Sequence, residues 1–129
     1  MLVLDASALA GWLLPDEAGL DLVALSEQHA EFAAPWLIWA EIRNILLVSE
    51  RRGRIPANVV EQALEAVDGL GLILDTSPSS AVVAGLCRAH RLTAYDALYL
   101  ELALRKGATL ATHDAALARA ASAEGVALA

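Results

Sequence analysis

Four carboxylates of this 129-residue chain stand among side chains that seek a core rather than solvent. They are Asp5 in Val-Leu-Asp-Ala-Ser-Ala-Leu, Glu41 in Ile-Trp-Ala-Glu-Ile, Asp96 in Ala-Tyr-Asp-Ala-Leu and Asp114 in Ala-Thr-His-Asp-Ala-Ala-Leu. An ionised carboxylate buried without a donor, cation or metal is strongly disfavoured. Only Arg43 and His113 lie close in sequence, and four acids brought together would repel one another and raise their own pKa values. A divalent cation resolves the conflict. Mg²⁺ or Mn²⁺ takes oxygen ligands in octahedral geometry and keeps several waters, one of which can attack a phosphodiester. Carboxylates without His or Cys point to these hard ions rather than to zinc. Singly, each acid has a plainer reading. Asp75, before Thr76-Ser77-Pro78, reads as a turn or cap residue, Asp96 could cap its helix, and Glu41 could sit on an exposed stripe. The joint occurrence carries the information.

The elements that must position these acids are short and punctuated by Gly and Pro. Leu2 to Leu4 is a β-type run ending at Asp5, after which Ser7 is expected to cap a helical turn through Trp12 to Leu14, stopped by Pro15. Asp16 reads as the N-cap of a helix closing near His29, and Glu31 to Ala34 as a second strand. Pro35 is expected in the first turn of a helix running to about Arg52, with Gly53 as its stop. Apolar residues from Trp36 to Val48 surround that helix axis, which predicts burial on most sides and makes it the interface helix, whether for dimerisation or for docking a partner. Pro56 opens a helix carrying Val59, Val60, Ala63, Leu64 and Val67, and Leu72 to Leu74 is a third strand. Helices follow from Thr76-Ser77-Pro78 to His90 and from the Thr93 cap to Gly107. Ala108 to Ala111 is a fourth strand, Asp114 to Ala121 a short helix and Val126 to Leu128 a last strand. Short apolar strands alternating with helices predict a single α/β domain over residues 1–129, an open, doubly wound parallel sheet with helices on both faces. Asp5 and the Thr112-His113-Asp114 turn fall at the carboxyl ends of strands, where ligands gather in such sheets.

Composition narrows the function classes. Apolar residues make up 57% of the chain, above the roughly 45–50% of ordinary soluble domains, so a surplus is expected to face another chain. With no basic leader and no apolar run of roughly 18 residues, the expectation is a soluble, unprocessed protein that does not enter membranes. The lone Cys87 excludes an internal disulfide and fits a reducing cytoplasm. A net charge of −7 repels phosphate backbones, so a nucleic-acid role must be local or use metal ions. Aromatics at 5% argue against a base-stacking platform.

With these residues in hand the chain resembles PIN-domain ribonucleases, and among them the VapC-type toxins of toxin–antitoxin pairs. The resemblance rests on Leu-Val-Leu-Asp5-Ala-Ser7-Ala-Leu, the Pro35 helix with Glu41 and Asn44, Ala-Tyr-Asp96-Ala-Leu-Tyr and Ala-Thr112-His113-Asp114, in the family's order and spaced 36, 55 and 18 residues apart at the four acids. It implies a metal-dependent endoribonuclease whose acidic pocket binds Mg²⁺ or Mn²⁺, a homodimer, and a small VapB-like antitoxin whose tail blocks the pocket. Carried over residue by residue, it makes Asp5 and Asp96 direct ligands and has Asp114 complete the metal shell or hold its water. Glu41 would orient that water or act as general base. Ser7 and Thr112 would hold a carboxylate or the scissile phosphate, and Asn44, at i+3 from Glu41, would fix its carboxylate. His113 reads as an exposed turn residue, while Arg43, Arg51, Arg52 and Arg54 could steer RNA or simply complement a helix C-terminus.

Two other enzyme classes with an Asp after the first strand fail on a required residue. Haloacid-dehalogenase-type phosphatases need a second Asp where Ser7 stands, and receiver domains need an acidic pair and a lysine near the end, whereas Lys106 closes a helix. The remaining rival is a catalytically weak binding module acting through a complex with an antitoxin or DNA-binding partner.

Overall fold

The computed structural model describes residues 1–15 and 19–129. In chain order its elements are β1 (Leu2–Leu4), α1 (Ala6–Leu13), α2 (Leu22–Gln28), β2 (Phe32–Pro35), α3 (Ile38–Arg51), α4 (Ala57–Gly69), β3 (Ile73–Asp75), α5 (Ser80–His90), α6 (Ala94–Lys106), β4 (Thr109–Ala111) and α7 (Ala115–Ala123). The strands form one parallel sheet in the order β3-β2-β1-β4. β1 is buried throughout, and its pleat divides the side chains between two cores. Val3 joins the larger cluster with Leu110, Ile42 and Leu100, while Leu2 and Leu4 join the smaller one with Ala8, Leu22 and Ala111. Both sheet faces are thus covered at β1, β2 and β4, which is why those strands read as unbroken apolar runs, whereas Ile73 and Leu74 of the edge strand β3 stay exposed.

The chain steps outward from β1 to β2 to β3 and then returns to place β4 on the other side of β1. The reversal lies between β1 and β4, the crevice at which open α/β sheets bind ligands. Register sharpens this: Leu4 pairs with Ala111, so Asp5 and Thr112 leave the sheet side by side.

Several local expectations are corrected. Asp5, not Ser7, caps α1; its carboxylate accepts the Ala8 N–H at 2.8 Å, because β1 runs into the helix with no spacer. Asp16 lies outside the described residues, and α2 is capped by Asp21, with His29 as its C-cap. Pro35 ends β2 opposite Asp75 rather than opening α3; a strand end and a first helical turn both tolerate its missing N–H. Nor is α3 buried all round. Ile38, Ile42, Leu46 and Ser49 form one buried stripe, whereas Trp39 and Leu47 are 57% and 47% exposed, since the helix packs on the sheet through a single face. The expected last strand shrinks to a bridge between Leu128 and Leu110, as only Ala127 and Ala129 reach the β4 edge with hydrogen bonds.

A polar clamp fixes α6 against the sheet. Arg105 donates to both oxygens of Asp75, at 3.1 and 2.6 Å, and to both oxygens of Glu101, at 2.8 and 3.1 Å. Glu101, 2% exposed, also accepts the Ser79 N–H at the start of α5. Hydrogen bonds from Arg105 hold Asp75 below the ordinary carboxylate range, so this residue is an ion-pair partner as well as a turn residue bonded to the Ser77 N–H.

Candidate active site

The acidic residues converge from four parts of the chain. Asp5 follows β1, Glu41 lies in the first turn of α3, Asp96 in the first turn of α6, and Asp114 caps α7 after β4. Asp5 is 4% exposed. Its Oδ1 accepts from the Ser7 hydroxyl at 2.7 Å and the Ala8 N–H at 2.8 Å, and its Oδ2 accepts from the Thr112 hydroxyl. The two hydroxyls are themselves held: Ser7 Oγ accepts the His113 N–H and Thr112 Oγ1 the Asp114 N–H, each at 2.9 Å. Ser7 and Thr112 therefore lace the β4–α7 turn to the start of α1 and fix both oxygens of Asp5.

Burial pushes the Asp5 carboxyl above its ordinary pKa; these hydrogen bonds oppose the shift and the charge of Asp114 adds to it. Burial likewise raises Asp96, with the charges of Asp114 and Asp5 adding. Glu41 is also raised by burial, opposed by a hydrogen bond from Tyr99 and reinforced by Asp96 and Asp5. The acids thus sense one another across four elements. Asp114 is exposed and spends one oxygen on the Leu117 N–H at 2.8 Å.

Cations near these acids in sequence are committed elsewhere. Arg43 stacks 3.8 Å from the Trp39 ring centroid, donates to the Trp39 carbonyl and lies 3.7 Å from Asp68. His113 is exposed and enters the site through its backbone.

Among the described residues no three His, Cys, Asp or Glu side chains are grouped closely enough to hold a metal ion directly. Asp5 and Asp96 both feel the charge of Asp114, but the three are not such a group. Their chemistry still fits a hard cation. The donors are all oxygens, their charge is unneutralised, and Mg²⁺ commonly takes one or two carboxylates and fills its shell with water.

Tyr99 is the residue the sequence reading passed over. It is 2% exposed and its hydroxyl donates to Glu41 Oε1 at 2.5 Å. Burial and this bond push its own pKa far above the ordinary value. The signal was the i, i+3 spacing from Asp96 on one helix, which faces a tyrosine and an acid the same way. Asn44 does not make this bond; it is exposed and lines a shallow depression of about 300 Å³ with Leu37, Ala40, Glu41 and Tyr95.

The chain is thus a parallel α/β protein with Asp5 and the Thr112–Asp114 turn at its topological switch. The PIN domain family profile matches residues 2–123, and the chain belongs to that family, whose members are generally nucleases. Among solved structures, the chain is similar to PAE2754 from Pyrobaculum aerophilum, with a TM-score of 0.74 and 24% identity over 92% of this chain and 83% of that one. It is also similar to FitAcB from Neisseria gonorrhoeae, with a TM-score of 0.67 and 18% identity over 99% of this chain and 96% of that one. No curated protein matches.

Proposed function

We propose that this chain is a Mg²⁺- or Mn²⁺-dependent endoribonuclease and the toxin of a VapC-type toxin–antitoxin pair. The observation that carries the reading is the buried Asp5 at the β1–β4 crevice, gripped on both oxygens by the Ser7 and Thr112 hydroxyls and joined through Thr112 to the Asp114 N–H, with Glu41 and Asp96 near enough to feel its charge and no cation paired to these acids among the described residues. Asp5 and Asp96 would hold the ion directly and Asp114 through a water of its shell, and the ion when bound would neutralise phosphate charge and make a water acidic enough to attack at neutral pH. Ser7 and Thr112 keep both oxygens of Asp5 in place. Glu41, with Oε1 held by Tyr99, has Oε2 to orient the attacking water and accept its proton. RNA is the proposed substrate. A VapB-like antitoxin and a second copy of the chain are the proposed protein partners, as the resemblance to VapC-type toxins implies. Trp36, Trp39, Ile73 and Leu74, each 41% exposed or more, are apolar surface available to such partners.

The test incubates purified protein with structured RNAs and Mn²⁺, with and without chelator, beside Asp5→Asn. Cleavage is expected only in wild type with metal, with the variant at least about 100-fold slower. Cleavage in chelator, or cleavage by the variant at a rate near that of wild type, refutes the mechanism. No cleavage under any condition favours the catalytically weak binding module.

A further inference from the structure

The contact between α6 and α3 adds a role beyond the acidic set. Tyr99 lies one helical turn after Asp96, so the helix that carries one acid also carries the donor that grips another. Its ring is among the largest fully buried side chains of the molecule, which leaves the hydroxyl little freedom to choose another partner. Glu41 contrasts with it: a half-buried glutamate whose long side chain has several rotamers within reach of solvent. A tyrosine used only for packing could be phenylalanine. Here the buried hydroxyl ends at 2.5 Å on a carboxylate oxygen, the geometry of a charge-assisted bond.

We infer that Tyr99 is a positioning residue for catalysis, fixing Glu41 through Oε1 so that Oε2 faces the attacking water. The inference rests on the nuclease reading above and deepens it. Tyr99 needs to touch neither metal nor RNA; it acts through Glu41. The ordering cost of the glutamate is met on folding rather than in each turnover, so its loss should appear in kcat and not in substrate binding.

The experiment compares wild type, Tyr99→Phe, Glu41→Gln and the double variant on one RNA with Mn²⁺, with thermal melts of each. A hydrogen bond to a charged group corresponds to about 10- to 100-fold in rate, so Tyr99→Phe is expected to lose about that much kcat with KM unchanged. In the Glu41→Gln background the same change should cost less than about twofold, because the group through which Tyr99 acts is already disabled. Unchanged kcat in Tyr99→Phe overturns the inference, as does a loss carried undiminished into the Glu41→Gln background. Should Tyr99→Phe fail to fold, wild-type NMR takes its place. A slowly exchanging Tyr99 hydroxyl proton that disappears in Glu41→Ala supports the inference, and its absence from the wild type overturns it. A wild type that cleaves no RNA with Mn²⁺ removes the nuclease reading and this inference together; a cleaving wild type matched by Tyr99→Phe removes this inference alone.

Discussion

The donors on Asp5, the Ala8 amide and the Ser7 and Thr112 hydroxyls, are all uncharged, so its negative charge is ordered without being neutralised. That distinction gives the residue-scale prediction. Asp5, Glu41 and Asp96 all have native pKa values above their ordinary ones. The native state then binds protons more tightly than the unfolded chain, and stability falls as pH rises from about 4 through the raised values. In chelator, the urea midpoint of wild type relative to Asp5→Asn is expected to be lower above that window than within it. A wild-type midpoint that rises relative to that of Asp5→Asn as pH rises contradicts the sign. Asp75 behaves oppositely: Arg105 lowers its pKa, so its contribution is present above its unfolded value of about 3.9 and is lost as pH falls through the lower native one.

At the scale of elements, α6 is the hinge of the design. Thr93 caps it through the Asp96 N–H at 3.2 Å, its first turn carries Asp96, its second reaches Glu41 through Tyr99, and its last turn is clamped to β3 by Arg105. The buried member of the clamp is Glu101, while Arg105 is exposed. Arg105→Met would leave Glu101 buried with only the Ser79 N–H as a partner, an arrangement that typically destabilises by about 3–5 kcal/mol, discounted toward the lower end because Arg105 is 29% exposed. Urea unfolding should show that loss. Glu101→Gln with Arg105→Met should recover part of it, because the uncompensated charge is gone; no recovery would mean that packing, not charge, holds the clamp. The Tyr99–Glu41 bond joins α6 to α3, so a loosened α6 should also cost activity.

For the molecule as a whole, acidity and apolar surplus act together. A net charge of −7 disfavours a polyanion, so the proposed RNA substrate would depend on metal ions at the site, and exposed Trp36, Trp39, Ile73 and Leu74 are the apolar surface on which the proposed protein partners would dock. Among the described residues no helix is long and apolar enough to cross a membrane. Expressed alone, the chain is expected to slow bacterial growth, and Asp96→Asn to relieve the arrest while the purified variant melts at or above the wild-type temperature. Equal toxicity of a folded Asp96→Asn variant would place the harm outside the acidic site.

The alternation of strands and helices and the burial of β1, β2 and β4 were legible in the chain, because apolar periodicity is a local signal. Apolar neighbours in sequence marked four acids alike, but only Asp5 is buried, Glu41 and Asp96 are half-buried and Asp114 is exposed, because burial is decided by what packs around a residue. Helix caps were less legible. Asp5 and Ser7 are equally good cap residues by type, and only the β1–α1 junction decides between them. Whether the apolar Trp36–Val48 segment is enclosed or half bare depends on what packs against it, which no local pattern records. Tertiary structure alone brought Thr112 to Asp5 across 107 residues and Tyr99 to Glu41 across 58, since such meetings follow from strand order and register rather than from neighbours in sequence.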